Sequence, residues 1–320
     1  MTLENLHQEV WVLDKRELVI IGGGPAGLSA GIYASRAAVD TVLLERGVPG
    51  GLVISTHFIE NYPGFSEGTG GPELMTQMEK QARRFGLEIL STNVDSISVT
   101  EKGFILKTDN GEIMAGAVIM ATGANPQLLG VKGEKEFTGL GVSYCATCDG
   151  AFFRGRTVAV VGGGDAAVEE AMFLTRFVKK VLLIHRRGEL RATKIVQKRA
   201  FENPKIEFIW HSVVDEIYGN IIVESIKVRD VRSNETRVLN IDGVFLYVGS
   251  NPNSALVRDI ITLDDKGYII TDENMLSSQP GLYAAGDVRK KLLRQVVTAV
   301  ADGAVAAVAA EKYLTEKNML

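Results

Sequence analysis

Twice along this 320-residue chain, a short apolar strand runs into a glycine turn, a helix and a second strand. Each time the second strand ends on a polar side chain 23 residues after the first glycine, and each unit closes on a Gly-x-Asn-Pro segment. These observations predict an α/β protein of two Rossmann-like, three-layer nucleotide-binding domains related by duplication, each carrying a small β-meander.

The first unit opens with the apolar run Glu17–Ile21, followed by Gly22-Gly-Gly-Pro25-Ala26-Gly27, a helix-like stretch Leu28–Ala38 and a strand Thr41–Leu44. Gly22 permits the tight turn, Gly24 lets backbone approach a pyrophosphate, and Gly27 allows close helix–strand packing. The helix N-terminus offers free N–H groups and a favourable dipole to phosphates. Glu45 follows the second strand, placed to accept hydrogen bonds from a ribose diol. Next come Gly50-Gly51-Leu52 and a polar loop containing Asn61, then an amphipathic helix over 72–85 that starts with Pro72 and Glu73. Alternating segments 94–100, 104–108 and 112–115 read as the meander, with Asn110-Gly111 as a hairpin turn. Ala117–Ala121 reads as a separate buried strand.

The second unit repeats this as Thr157–Val161, Gly162-Gly-Gly164-Asp165-Ala166-Ala167, a helix to Phe177 and a strand Val181–Ile184. Segments 213–217, 221–231 and 236–241 form its meander, and 244–248 its last strand. The units differ at the tip of the second strand. Where the first has Glu45, the second has His185-Arg186-Arg187, with Arg191 four further on. A carboxylate suits a free ribose 2′-hydroxyl and repels a 2′-phosphate; an arginine cluster does the reverse. The first site is therefore expected to take FAD or NAD, and the second NADP(H). Lys194, Lys198 and Arg199 read as the exposed side of a helix.

Between the units lie the only two cysteines, Cys145 and Cys148, followed at once by Asp149. Thiols so spaced can form a small disulfide and pass two electrons by thiolate attack, and the adjacent carboxylate can carry protons to and from a departing thiolate. Half of a structural zinc site is the alternative, but such sites take four Cys or His ligands. His7, His57, His185 and His211 show no ligand spacing, and no metal is expected. Near the C-terminus, Gly281–Asp287 reads as a strand ending in a turn with Gly286 and Asp287. Arg294-Gln295-Val296 opens a long helix to about Leu314, which returns to the first domain. Its small-residue face suits either a flat ring system or ordinary packing.

The net charge of −4 argues against a nucleic-acid footprint, which is normally basic. No apolar run reaches the length of a membrane span, since Asp302 and Glu311 bracket the small residues 304–310. Two cysteines in one motif do not make a secreted disulfide scaffold, and the start lacks a signal-peptide run. A cytoplasmic protein is expected.

With Gly22–Gly27, Cys145-Ala-Thr-Cys-Asp149, Gly162–Ala167, His185-Arg-Arg with Arg191-Ala192, Gly286-Asp287 and Arg294-Gln295 in this order, the chain resembles the low-molecular-weight thioredoxin reductases over nearly its whole length. The resemblance implies a discontinuous FAD domain over 1–121 and 249–320 and an inserted NADPH domain over 122–248, joined by the Gly-x-Asn-Pro segments as two hinge strands. It implies that Cys148 faces the flavin, that Cys145 attacks the substrate disulfide and that Asp149 is the acid–base group. Glu45, Asn61 and Asp287 would contact FAD, with the backbone of 294–296 near the isoalloxazine ring. Phe152 and Phe153 resemble an aromatic pair near the partner-docking surface. Leu52 departs from the pattern, because many members carry Gln there as a polar contact to the flavin.

The family also implies a homodimer, rotation of the inserted domain between half-reactions, and thioredoxin or a thioredoxin-like protein as partner, with a glutaredoxin-like protein as the next choice. A peroxide-defence reductase carries an extra N-terminal region for which the position of Gly22 leaves no room. A ferredoxin-linked relative lacks the arginines, and a redox-sensing flavoprotein needs neither an NADP site nor a reactive pair.

Overall fold

The computed structural model describes residues 14–56, 59–144 and 146–319. Of the residues singled out above, His7, His57 and Cys145 lie outside this set, as do the side chains of Thr147 and Cys148. The chain divides into two compact units: one takes it up to Asn125 and again from Asn251, and the other is Pro126–Ser250.

The first unit begins β1 (Asp14–Ile21), α1 (Pro25–Arg36), β2 (Thr41–Glu45), α2 (Gly71–Arg84), β3 (Glu88–Ser91), β4 (Val94–Thr100), β5 (Gly103–Thr108) and β6 (Gly111–Met120). A short strand, β7 (Ala124–Pro126), leads out of it. The second unit then runs β8 (Val142–Ser143), α3 (Ala146–Asp149), β9 (Thr157–Gly162), α4 (Asp165–Leu174), β10 (Lys180–Ile184), α5 (Lys194–Phe201), β11 (Ile206–Ile209), β12 (Ser212–Gly219), β13 (Val223–Asp230), β14 (Thr236–Asn240) and β15 (Gly243–Tyr247). The return strand β16 (Ser250–Pro252) pairs with β7 in a two-stranded ribbon. Finally β17 (Leu282–Ala284) and α6 (Val296–Glu316) complete the first unit.

The larger sheet has the order β3-β2-β1-β6-β5-β4, with β17 also on β6. In the parallel part, Ile21 of β1 is in register with Leu44 of β2 and Met120 of β6, and Met120 with Ala284 of β17. Four strands therefore stop at one level, and the turns after them, carrying Gly22, Glu45, Ala121 and Gly286, share one crevice at the carboxyl edge. In the second unit β11-β10-β9-β15-β8 form the sheet, and Ile184, Val161 and Leu246 again share a level.

Side chains alternate between the two faces of a strand, and here the alternation sorts residues into separate cores. Leu18 and Ile20 pack with α1, α2 and α6, while Val19 and Ile21 pack with Ile97, Phe104 and Leu106 of the meander. The second unit repeats this three-layer arrangement. Val158 and Val160 face α4 and α5, whereas Ala159 and Val161 face Ile217, Ile226 and Val228 of β12 and β13.

Three expectations need correction. The sequence reading splits 112–115 from 117–121, but β6 is one ten-residue strand. Both halves pair with β1, and only the opposite neighbour changes, from β5 over the first half to β17 over the second. Gly116 sits inside it because a side chain there would come 2.7 Å from Leu314 Cδ2 and 3.1 Å from Glu17 O. Helix α1 starts at Pro25 rather than Leu28, using proline at a first-turn position where no intrahelical donor is lost. Helix α4 stops at Leu174, where the Thr175 N–H turns back to Met172 O in a tighter turn.

The small-residue face of α6 is mainly a packing surface. A side chain at Gly303 would overlap Ala26 O of α1, and Ser29 of α1 donates to Val300 O at 2.7 Å. Only Val296 and Ala299 of this helix reach the crevice.

Candidate functional site

In the first unit the crevice opens into a cavity of about 660 Å³. Gly22, Gly24, Pro25 and Ala26 form one wall, and Glu45 stands at the end of the next strand. Gly51 and Leu52 come from the following loop, and Gly286, Asp287, Arg294, Gln295 and Val296 close the far side. Asn61 is not among the lining residues, but its Nδ2 donates to Gln295 Oε1 at 3.0 Å. Gly27 lies beneath the turn, where a Cβ would overlap Gly22 O.

Gly22 has a φ of +105°, and a Cβ on it would come 2.5 Å from Ala121 O. The chain can thus turn sharply against the end of β6. Gly24 and Gly51 face each other, so that a Cβ on Gly51 would come 3.3 Å from Gly24 Cα. With neither carrying a side chain, backbone N–H groups at the start of α1 stay open to an anion. Glu45 accepts N–H bonds from Gly23 (2.7 Å) and Gly47 (2.9 Å), one on each carboxylate oxygen. A carboxylate has about four acceptor sites, so capacity remains for a ribose diol.

Asp287 carries the clearest ligand signal. Its Oδ1 is buried without a hydrogen-bond partner, and Lys291 Nζ stands 3.7 Å away. Burial pushes the carboxyl up, against the opposing pull of Lys291 and Arg294. Arg294 Nε is likewise buried and unpaired, its guanidinium lying over the Tyr268 ring at 4.0 Å. Buried polar groups are normally satisfied. An acceptor and a donor left open in one cavity fit a ligand carrying both hydroxyls and acceptor atoms, as a dinucleotide does.

The second unit presents the same cradle with opposite charge. A Cβ on Gly162 would come 2.5 Å from Tyr247 O and 2.6 Å from Ala167 Cβ, while Gly164 faces open space. The ring of His185 lies directly under Gly163, as Glu45 lies under Gly23. Burial, then Arg191, Arg187 and Arg186, push the imidazole down. Arg186, Arg187 and Arg191 are exposed. Arg191 is returned to the glycine turn by its own N–H, which donates to Gly163 O at 2.6 Å. Asp165 is engaged within the protein, accepting the Thr193 N–H at 2.7 Å, and Ala166 is exposed on the first turn of α4.

The cysteine motif belongs to this second unit. Asp149 ends α3 and borders a smaller groove of about 220 Å³ together with Leu140, Phe152 and Ile222. Phe152 is 77% exposed. Phe153 also lines this groove, while packing edge-on to Phe245 at 5.4 Å and under Gly243. Of the expected aromatic pair, Phe152 is largely exposed, whereas the ring of Phe153 is also engaged in packing.

A family model for pyridine nucleotide-disulphide oxidoreductases matches residues 16–303. A thioredoxin reductase of Peptoclostridium litorale is 50% identical over 306 residues, covering 94% of this chain and 97% of that protein. The chain belongs to the thioredoxin reductase family. The Lactococcus lactis thioredoxin reductase structure in its FR conformation matches at 46% identity with a TM-score of 0.92, covering 94% of this chain and 99% of that one. The Streptococcus pyogenes thioredoxin reductase matches with the same identity and the same coverage at a TM-score of 0.64.

Several residues of the first cavity were not singled out by the sequence. Arg46, Asn93, Thr122 and Asn253 also line it. Thr122 Oγ1 donates to Asn253 O (2.7 Å), and Asn253 Nδ2 donates back to Thr122 O (2.9 Å). Beneath the Gly286-Asp287 turn, buried Asp302 accepts from Gly286 N (3.1 Å), Arg289 Nη1 (3.0 Å) and Lys291 Nζ (2.9 Å). The available signal was a lone carboxylate in a run of small apolar residues. Among the described residues no group of three or more His, Cys, Asp or Glu could hold a metal ion, and no helix is long and apolar enough to cross a membrane.

Proposed function

We propose that this protein is an NADPH- and FAD-dependent disulfide reductase that passes electrons through Cys145 and Cys148 to oxidised thioredoxin. Residues 1–121 with 249–320 are assigned to FAD, and the inserted residues 122–248 to NADPH. The observation that carries the reading is the duplicated cradle with opposite charge at its tip, Glu45 under the first turn and His185, followed by Arg186, Arg187 and Arg191, under the second. When bound, the flavin supplies a two-electron carrier between a nicotinamide hydride and a disulfide.

The residues of the chain do the rest. Gly22, Gly24 and the start of α1 hold the FAD pyrophosphate, Glu45 its ribose, and Asp287 a further hydroxyl. The Gly162–Gly164 turn holds the NADPH pyrophosphate, and Arg186, Arg187 and Arg191 select its 2′-phosphate by charge-assisted bonds. Cys148 would be the thiol on the flavin side and Cys145 the one that attacks the partner disulfide. Asp149 gives a proton to the departing thiolate and recovers it in the reverse step. Leu52, 56% exposed at the cavity, stands where many relatives have a Gln contact to the flavin.

A motif in one unit that must meet the flavin of the other and then a bulky partner calls for rotation of the inserted unit on its two linkers. The β7–β16 pairing supports those linkers as a hinge. Two solved relatives equally identical to this chain differ widely in how well they superpose on it, which supports a family met in more than one arrangement. A cytoplasmic homodimer completes the reading.

The test is NADPH-dependent reduction of the host's thioredoxin-like and glutaredoxin-like proteins, one at a time. Turnover with a thioredoxin is the expected result; turnover with none, or with the glutaredoxin-like proteins alone, contradicts it. An engineered cross-link between the units should stop turnover and leave single-step flavin reduction intact.

A further inference from the structure

The two residues that flank Cys145 are each held through a tyrosine hydroxyl. On one side Tyr144 donates its O–H to Glu134 Oε1 at 2.8 Å. Glu134 is 1% exposed and also accepts the N–H groups of Leu129 (2.9 Å) and Gly130 (2.6 Å), so it is itself fixed. On the other side Ala146 donates its N–H to the Tyr247 hydroxyl at 2.8 Å, a partner 101 residues away at the end of β15. Ala146 is the first residue of α3, and the first N–H groups of a helix have no partner within it. It is also fully buried among Val160, Ala171 and Phe245. Water cannot reach this donor, and Tyr247 is the group that satisfies it.

Tyr247 is well placed to act as a fixed point. Its backbone is in register with Gly162 in the sheet, and its side chain packs against the helix-side core. Burial, then the nearby Glu170 and Asp149 carboxyls, hold its proton on well above the ordinary tyrosine range. The anchor is therefore a neutral hydroxyl throughout the working pH range. Nothing in the nucleotide cradle uses that hydroxyl.

We propose that Tyr247, seconded by Tyr144, is a positioning residue for the redox pair: its hydroxyl fixes the Ala146 N–H and so sets where Cys145 and Cys148 stand for disulfide exchange. The proposal rests on the reductase reading above. It separates two steps of that reaction, because hydride arrival at the flavin does not involve α3 whereas thiol–disulfide exchange does.

Tyr247→Phe in the holoenzyme removes one oxygen and keeps the ring. The expected result is flavin reduction by NADPH at the wild-type rate, with thioredoxin turnover roughly tenfold slower in kcat and little changed in KM. The balance between flavin and cysteine pair should also be displaced, read as the fraction of flavin bleached at a fixed NADPH ratio. Tyr144→Phe, which frees only one of Glu134's three donors, should give a smaller loss of the same kind, roughly threefold. If Tyr247→Phe does not fold, Tyr144→Phe decides.

Unchanged exchange in both variants overturns the proposal. So does an equal loss in flavin reduction and exchange, which is the mark of general damage to the fold. A wild-type protein that reduces no thioredoxin instead overturns the reductase reading, and the two failures are told apart by that control.

Discussion

Asp302→Asn should destabilise the first unit far more than the loss of an exposed carboxylate would. The wild-type residue is 7% exposed and accepts three hydrogen bonds, two of them from Arg289 and Lys291. Those cationic side chains are themselves 14% and 7% exposed. The substitution keeps the shape and removes the charge, which leaves a positive charge uncompensated away from water. Breaking a buried pair by removing one partner costs about 3–5 kcal/mol. Asp287, 3.7 Å from Lys291, recovers part of that, so a loss near the lower end, about 3 kcal/mol, is expected. The Gly286 N–H also loses its carboxylate acceptor, which loosens the turn carrying Asp287, so flavin retention should fall with stability. Urea unfolding followed by circular dichroism measures the first effect, and the flavin-to-protein absorbance ratio of the purified variant measures the second. A loss below about 1 kcal/mol, the value of an exposed ion pair, would refute the reasoning.

Replacing both Arg186 and Arg187 by Ala should weaken NADPH by about a hundredfold and leave NADH nearly unchanged, since each lost charge-assisted bond is worth about 1.5–3 kcal/mol; equal losses in steady-state KM for both nucleotides would count against a 2′-phosphate site. Gly27→Ala should cost about 1–3 kcal/mol and release flavin, because the new methyl overlaps Gly22 O; thermal melting with a flavin-fluorescence readout checks this. Glu170 is held at about 7, by burial and then by Glu169. A carboxyl raised in the folded state binds a proton that the unfolded chain has released. Its stabilising contribution is therefore complete below about pH 4.5 and is lost as pH rises through 7. Glu170→Gln should flatten that fall by about 3 kcal/mol, and a variant whose stability keeps the wild-type slope between those pH values would contradict it.

Much of the fold was legible because its signals are local. The glycine turns, the tip residues Glu45 and His185 and the second meander each depend on a few adjacent residues and appear where expected, and the first meander departs only in its last strand, which continues to Met120. What depends on a distant partner was not legible. Gly116 looked like a break between strands, yet β1 pairs with both sides of it and Leu314 needs the space. Asp302 stood out only as a charge bracketing residues 304–310, and Arg289 and Lys291 not at all, because only the fold brings the three together beneath the turn after β17. Phe153 could not be told from Phe152 without seeing Phe245 and Gly243 beside it. Tyr247 looked like one more apolar residue of a buried strand, and only the fold brings its hydroxyl to Ala146.

The central claim is that electrons travel from NADPH through the flavin to the Cys145–Cys148 pair and then leave to thioredoxin. Anaerobic NADPH titration of the flavin-loaded protein, with Cys148→Ser beside it, tests that route most directly. The wild type should consume a further equivalent of NADPH before its flavin bleaches fully, because the disulfide fills as well, and added thioredoxin should restore the yellow colour. The variant should bleach without that extra equivalent and stay bleached. Identical titrations for the two proteins, or a variant that still reduces thioredoxin, would contradict the account.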